Sequence, residues 1–283
     1  MDIFNSVDKL QAFIGKKRAE GLTVGFIPTM GALHRGHLSL INSSKLSCDI
    51  TVASIFVNPT QFNDSADYDK YPRTVERDIA KLNSVDCDIL FAPTKEEIYP
   101  KEYKDLDYEL GDLATVMEGK FRPGHFDGMI NVVHRLLDIV KPNKSFFGQK
   151  DFQQLAIIRK MVSDYKLPIE IVGCPIVREV SGLAMSSRNE RFNAEQRLVA
   201  ANISAILYYL RDISCGLKLK EAKEKAISKF NSISKLKLEY LDVVDGNTLQ
   251  SIENWEDTNY AQACCAVYLA EIRLIDNIEL YSE

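Results

Sequence analysis

Along the first 175 residues, short apolar runs rich in β-branched and aromatic residues alternate with stretches of helical spacing. There is one strand–helix unit per roughly 30 residues. The strand-like runs fall at residues 23–27, 50–57, 87–91, 145–147 and 169–173. Strands apolar on both faces, each followed by a helix, pack only as parallel neighbours with helices above and below. The chain is therefore predicted to form an α/β, Rossmann-like doubly wound parallel sheet over residues 1–175. A hinge near Pro175 leads into a smaller α+β C-terminal domain over 176–283. That domain has helical stretches at 194–211 and 219–230, and strands at 238–244, 264–269 and 278–281.

The stretch that carries most chemistry is TVGFIPTMGALHRGH, residues 23–37. Its strand is expected to stop at Pro28, which has no N–H to give the ladder. A loop with Thr29, Met30 and Gly31 follows, and a helix restarts at about Gly36. A helix N-terminus at the carboxyl end of a parallel strand attracts anions, phosphates above all. His34 and His37, two of only four histidines, lie three apart there and share one face of the first turn.

Composition narrows the class. The 283 residues are 46% hydrophobic and 27% charged, with a net charge of −5. That balance implies no basic face, so nucleic acid is not expected as a partner. No apolar run nears the roughly 20 residues that span a bilayer, and no signal peptide is read at the start, so no membrane partner is expected. Six scattered cysteines without a CxxC pair point to buried thiols in a reducing cytoplasm and against structural zinc.

Other candidates sit where ligands of open α/β sheets collect. The run 50–57 ends in a loop from Asn58 to Asn63, in which Asn58 and Gln61 can bond a carboxylate or hydroxyl without adding charge; a plain turn fits equally. Tyr71 opens a charged helix with Ile79 and Leu82 inward. The loop GKFRPGHFDG, residues 119–128, offers Arg122 and His125 to an anion, and reads equally as a solvated loop before a helix over 129–140. His134 in that helix is expected to be structural. A strand-to-helix turn at 148–151 places Lys150 to meet a phosphate and Asp151 to cap a helix. In 176–189, Met185, Ser186, Ser187 and Arg188 join Arg178 in a donor-rich loop that can clasp a polyphosphate; Asn193 can cap the next helix.

PTMGALHRGH, VNPTQF, YPRT, FRPGHFDG, FGQKDFQQ and VREVSGLAMSSRN occur in that order. Together they resemble the pantoate–β-alanine ligases of the nucleotidyltransferase superfamily. The resemblance runs from about Gly25 to Asn189. It implies ATP-dependent condensation of pantoate with β-alanine through a pantoyl adenylate, with release of pyrophosphate and then AMP, and with Mg2+ accompanying the ATP. It implies that His34 and His37 face the ATP phosphates, that Lys150 stabilises charge at the α-phosphate, and that Ser186, Ser187 and Arg188 hold the β- and γ-phosphates. Pro28, Thr29, Met30, Gly31 and Gly36 would complete the ATP site. Gly148 and Asp151 would meet the ribose, and backbone at Val177 and Met185 the adenine. Gln61 and Gln154 would bind pantoate, with Pro28 and Met30 lining that pocket; Asn58, Tyr71, Arg122 and His125 are weaker carry-overs. Some relatives hold Mg2+ with acids after the YPRT motif, which makes Asp78 a weaker candidate ligand here, the alternative being an ion held mainly by phosphate oxygens and water. Relatives are typically homodimers, and a sheet edge near 50–57 would allow one.

Two other readings fit parts of the pattern. A plain nucleotidyltransferase would explain both phosphate motifs but not the Gln61 and Gln154 pair. A nucleotide-sensing module would tolerate loss of Lys150.

Overall fold

In the computed structural model, which describes residues 1–62, 68, 69 and 71–282, the first sheet has six strands, all parallel. They are β1 (Asp2–Phe4), β2 (Val24–Thr29), β3 (Ile50–Ile55), β4 (Ile89–Phe91), β5 (Lys144–Gly148) and β6 (Glu170–Cys174), in the order β1-β4-β3-β2-β5-β6. Chain order reverses between β2 and β5, so the ligand crevice of such a sheet opens at their carboxyl ends.

Burial explains the strands. Val24, Phe26, Ile27, Val52, Ala53, Leu90 and Phe91 are fully buried, as a central parallel strand requires. One cluster joins Ile27, Ala53, Leu90 and Phe146 to Leu40 and Ile41 of the helix Arg35–Lys45 and to Leu82 of the helix Val75–Asn83. Each buried Leu, Ile or Phe of this cluster contributes roughly 1.5–3 kcal/mol.

Several expectations shift. β2 continues one residue past Pro28, with Pro28 opposite Ser54 and Thr29 opposite Ile55. β3 is interior, flanked by β2 and β4, and all six of its residues are buried. It offers no edge for a second copy; the sheet edges are β1 and β6. Ser6 occupies the cap position of the helix Val7–Ala19, but Glu97 Oε2 accepts the Val7 N–H at 2.8 Å. The helix expected from residue 129 already starts at His125. Gly128, which looked like punctuation, lies inside it because a Cβ there would stand 2.3 Å from the Thr60 carbonyl oxygen. Asn63 lies outside the described residues.

The chain divides into two compact units. The first comprises Met1–Leu110, Arg122–Gln149 and Gln154–Pro175. The second comprises Gly111–Phe121, Lys150–Gln153 and Ile176–Glu283, so it takes in Lys150 and Asp151 as well as the C-terminal region. In this second unit, β7 (Leu236–Asp245), β8 (Tyr260–Leu269) and β9 (Ile272–Ser282) form an antiparallel sheet in sequence order. Helices Asn202–Ser214 and Leu219–Asn231 supply Ile203, Leu207, Leu210, Ala226 and Phe230 to its core. In the same unit, half-buried Arg273 donates to both oxygens of the buried Glu118 (2.6 and 2.8 Å), and Tyr240 donates to Glu118 Oε1 at 2.8 Å.

Candidate active site

In the first unit, the loop after β2 is built to present two imidazoles. Gly31 and Ala32 are both left-handed, with φ of 80° and 47°. A side chain at Gly31 would be strained by that angle, and its Cβ would also press on Ile55 at 3.0 Å and Asp78 at 3.1 Å. Ala32 holds the same conformation at a cost of about 1–2 kcal/mol. What holds it is Asp78, which is wholly buried. Its two carboxylate oxygens accept the Ala32 and Leu33 N–H groups, each at 2.8 Å, and Thr74 Oγ1 donates to it at 3.2 Å. Lys81, one turn on, donates to the Leu33 carbonyl. Asp78 therefore clasps the loop backbone, and it is shut off from a hydrated ion that would need it as a ligand. Among the described residues no group of three His, Cys, Asp or Glu side chains is placed to hold a metal.

The clasp delivers His34 to the N-cap of the helix Arg35–Lys45. His34 Nδ1 accepts the Gly36 N–H at 3.2 Å, and His37 Nδ1 accepts the His34 N–H at 3.3 Å, a reciprocal capping box made of two histidines. The rings lie 4.0 Å apart, tilted by 33°. Since each Nδ1 faces a donor, the neutral tautomer of both rings carries its proton on Nε2. The backbone N–H groups of His34 and Gly36 at this helix end are thus taken up by the imidazoles.

In the same unit, Gln61 Nε2 lies 3.1 Å from Met30 Sδ, and the His125 ring nitrogen Nδ1 lies 2.9 Å from the Gln61 carbonyl. Asn58 is fully buried. Its amide bonds Thr60 and the Gly128 carbonyl and accepts from Tyr99, so it shapes the loop rather than facing a ligand. Tyr71 is buried, its ring 5.7 Å edge-on from Phe62. Arg122, Gln154, Pro28 and Gly148 are half-buried. His134 is half-buried as well, paired with the Tyr108 hydroxyl, and burial lowers its pKa, as suits the structural role expected of it.

In the second unit, residues 177–185 form a tight hairpin. Met185 N–H donates to the Val177 carbonyl at 3.0 Å, Glu179 N–H donates to the Leu183 carbonyl at 2.8 Å, and Arg178 bridges to Ala184. The 3-10 turn Ser187–Arg191 follows, capped by Ser186 Oγ, which accepts the Arg188 N–H at 3.3 Å. Ser187 is buried and Arg188 half-buried. Asn193 caps the next helix as expected, with Gln196 closing the box. Lys150 Nζ stands 3.5 Å from the exposed Asp151 carboxylate. The hairpin is anchored by Arg178, whose guanidinium donates to both oxygens of the buried Asp276 at 2.7 and 3.0 Å.

Comparison with known proteins decides the family. The family model described as pantoate-beta-alanine ligase matches residues 2–279. The chain belongs to the pantoate–β-alanine ligase family. It is 50% identical over 279 residues to the pantothenate synthetase of Porphyromonas gingivalis strain W83, and 47% identical over 279 residues to that of Bacteroides thetaiotaomicron, with 99% of each chain covered in both cases. Among solved structures, the pantothenate synthetase of Thermus thermophilus matches with a TM-score of 0.93 at 40% identity, covering 99% of this chain and all of that one. The pantoate–β-alanine ligase of Francisella tularensis, complexed with β-γ ATP and β-alanine, matches with a TM-score of 0.82 at 37% identity over 99% and 98% of the two chains. The ligase expected from six motifs between residues 25 and 189 thus holds over nearly the full length.

Sequence reasoning missed two supports, Asp78 as the clasp of the histidine loop and Asp276 as the anchor of the 177–185 hairpin. Each had a readable signal. Asp78 sits one helical turn before the inward Leu82, and Asp276 alternates with Leu274 and Ile278 on the inner face of β9, so both are acids on an apolar face.

Proposed function

We propose that the chain joins pantoate to β-alanine in two steps. A pantoate carboxylate oxygen attacks the α-phosphorus of ATP; the bond to the bridging oxygen breaks, and pyrophosphate leaves with its electron pair. The deprotonated β-alanine amine then attacks the acyl carbon of pantoyl adenylate, and AMP leaves as pantothenate forms. The family and the ATP and β-alanine in the Francisella relative support this reading.

The observation that carries the first step is the pair of imidazoles with Nδ1 held by backbone N–H groups. With Nδ1 so held, each ring has Nε2–H as its donor, suited to phosphate oxygens that gain charge as the P–O bond breaks. We assign Lys150 to the α-phosphate and Ser186, Ser187 and Arg188 to the β- and γ-phosphates. Because the Met185 N–H and the Val177 carbonyl bond each other, an adenine edge would be read by the Val177 N–H and the Met185 carbonyl. Gly148 and Asp151 are assigned to the ribose, and Gln61 and Gln154 to pantoate. Mg2+ is assigned to phosphate oxygens and water, since the described side chains do not fit a protein cage.

We assign the second unit, which carries Lys150 and Ser186–Arg188, to shielding the adenylate from water. Equal scattering curves with and without nucleotide contradict that assignment. We further propose a homodimer, read by light scattering, and a reducing cytoplasmic setting, which the buried thiols of Cys87, Cys174, Cys264 and Cys265 support. Lys150→Ala tests the site itself. Pyrophosphate release should fall by about 10²–10³-fold with the melting temperature kept, the scale of removing one transition-state donor; unchanged turnover removes Lys150 from the site.

A further inference from the structure

Two successive residues of β9, far in sequence from every phosphate motif, hold two of those motifs. Asn277 is buried, and its Nδ2 donates to the Lys150 carbonyl oxygen at 2.8 Å. Its Oδ1 accepts from Gln262 Nε2 of β8 at 2.7 Å, which fixes the amide orientation. Asp276, also buried, accepts Arg178 Nη1 and Nη2 and the Asn277 N–H (2.8 Å). Arg178 in turn donates across its hairpin to the Gly182 carbonyl and to the Asn277 carbonyl, each at 3.2 Å. All of these groups belong to the second unit.

We propose that Asn277 is a positioning residue for Lys150, and that Asp276 does the same for the Ser186–Arg188 loop through Arg178. The bond from Asn277 goes to the main-chain carbonyl of Lys150. It fixes where the side chain starts and leaves the ammonium for a phosphate. The ion pair fixes the hairpin whose exit runs directly into Ser186. Two segments 36 residues apart (150 to 186) are thereby referred to one rigid strand. Adenylate formation needs such registration, because a shift of about 1 Å at a charge-stabilising group can cost roughly 100-fold. This rests on the ligase reading above.

The test uses the full-length protein with Asn277→Asp and Asn277→Ala. The first keeps the shape and the acceptor for Gln262 but turns the donor at Lys150 into an acceptor. The second removes the donor without adding a buried charge, and decides the matter if the first does not fold. Tyr240→Phe is the structural control, because it removes a part-buried hydrogen bond of the same unit at Glu118. Pantoate-dependent exchange of labelled pyrophosphate into ATP is measured with the pantoate KM. We expect kcat to fall roughly tenfold or more in both Asn277 variants, with the pantoate KM within about twofold and no such loss in Tyr240→Phe. An active wild type beside an Asn277→Ala of undiminished kcat, or an equal loss in Tyr240→Phe, overturns the inference alone. A wild type without exchange overturns the ligase reading and this inference with it.

Discussion

The histidine loop of the first unit and the Ser-Ser-Arg loop of the second are both donor-bearing segments held by a buried acid, but the holding differs in kind. Asp78 grips backbone N–H groups directly, from a helix 45 and 46 residues along the chain. Asp276 grips a guanidinium from 98 residues away, and the guanidinium grips the hairpin. A direct clasp on N–H groups sets backbone angles, which the left-handed Gly31 and Ala32 require. An ion-pair anchor sets the place of an already regular hairpin. Loss of the acid therefore has different costs: two buried N–H groups without partners in one case, a buried charge without its counter-charge in the other.

The largest effect is expected at the anchor. Asp276→Ala strands the Arg178 guanidinium and should cost about 3–5 kcal/mol in chemical denaturation. A cost as small as that of a surface substitution would mean that the ion pair is not what holds the hairpin. Next comes the clasp. Asp78→Asn keeps the size but turns an acceptor into a donor facing a backbone N–H, at about 1–3 kcal/mol. It should also lower kcat for adenylate formation more than it raises the pantoate KM, since His34 and His37 lose their place. Full activity in a folded Asp78→Asn protein would leave the clasp a matter of stability only.

The smallest effect lies outside both loops. Burial lowers the His134 pKa, so the fold favours the neutral ring. Below the unfolded value of about 6.5 the unfolded chain binds more protons. That contribution is full above pH 6.5 and fades as pH falls through the lower folded value. Comparing the wild type with His134→Gln between pH 7.5 and about 5 should show the wild type losing more stability on acidification, by less than either clamp contributes. Parallel curves would mean that the Tyr108–His134 pair does not titrate as described.

The comparison also shows what was legible in the sequence. The parallel sheet, the cap at Asn193 and the family follow from local patterns: apolar runs, cap residues, ordered motifs. What escaped is non-local. β3 looked like a sheet edge because its sequence cannot say that β4 and β1 add outside it. Residues 125–128 looked like a loop because a glycine that permits close approach to Thr60 reads the same as one that ends a helix. Asp78 is a weaker metal candidate in sequence because relatives carry acids after the YPRT motif, and an acid there reads the same whether it faces out or in; burial shows that its oxygens serve the backbone. Asn58, for which a ligand contact and a plain turn read equally in sequence, serves the turn, since its amide bonds Thr60 and the Gly128 carbonyl.

Isotope exchange between labelled pyrophosphate and ATP, with pantoate present and β-alanine withheld, tests the two-step chemistry directly. Rapid exchange that requires pantoate and needs no amine is the expected result. Exchange that begins only when β-alanine is added, or none with both present, contradicts it.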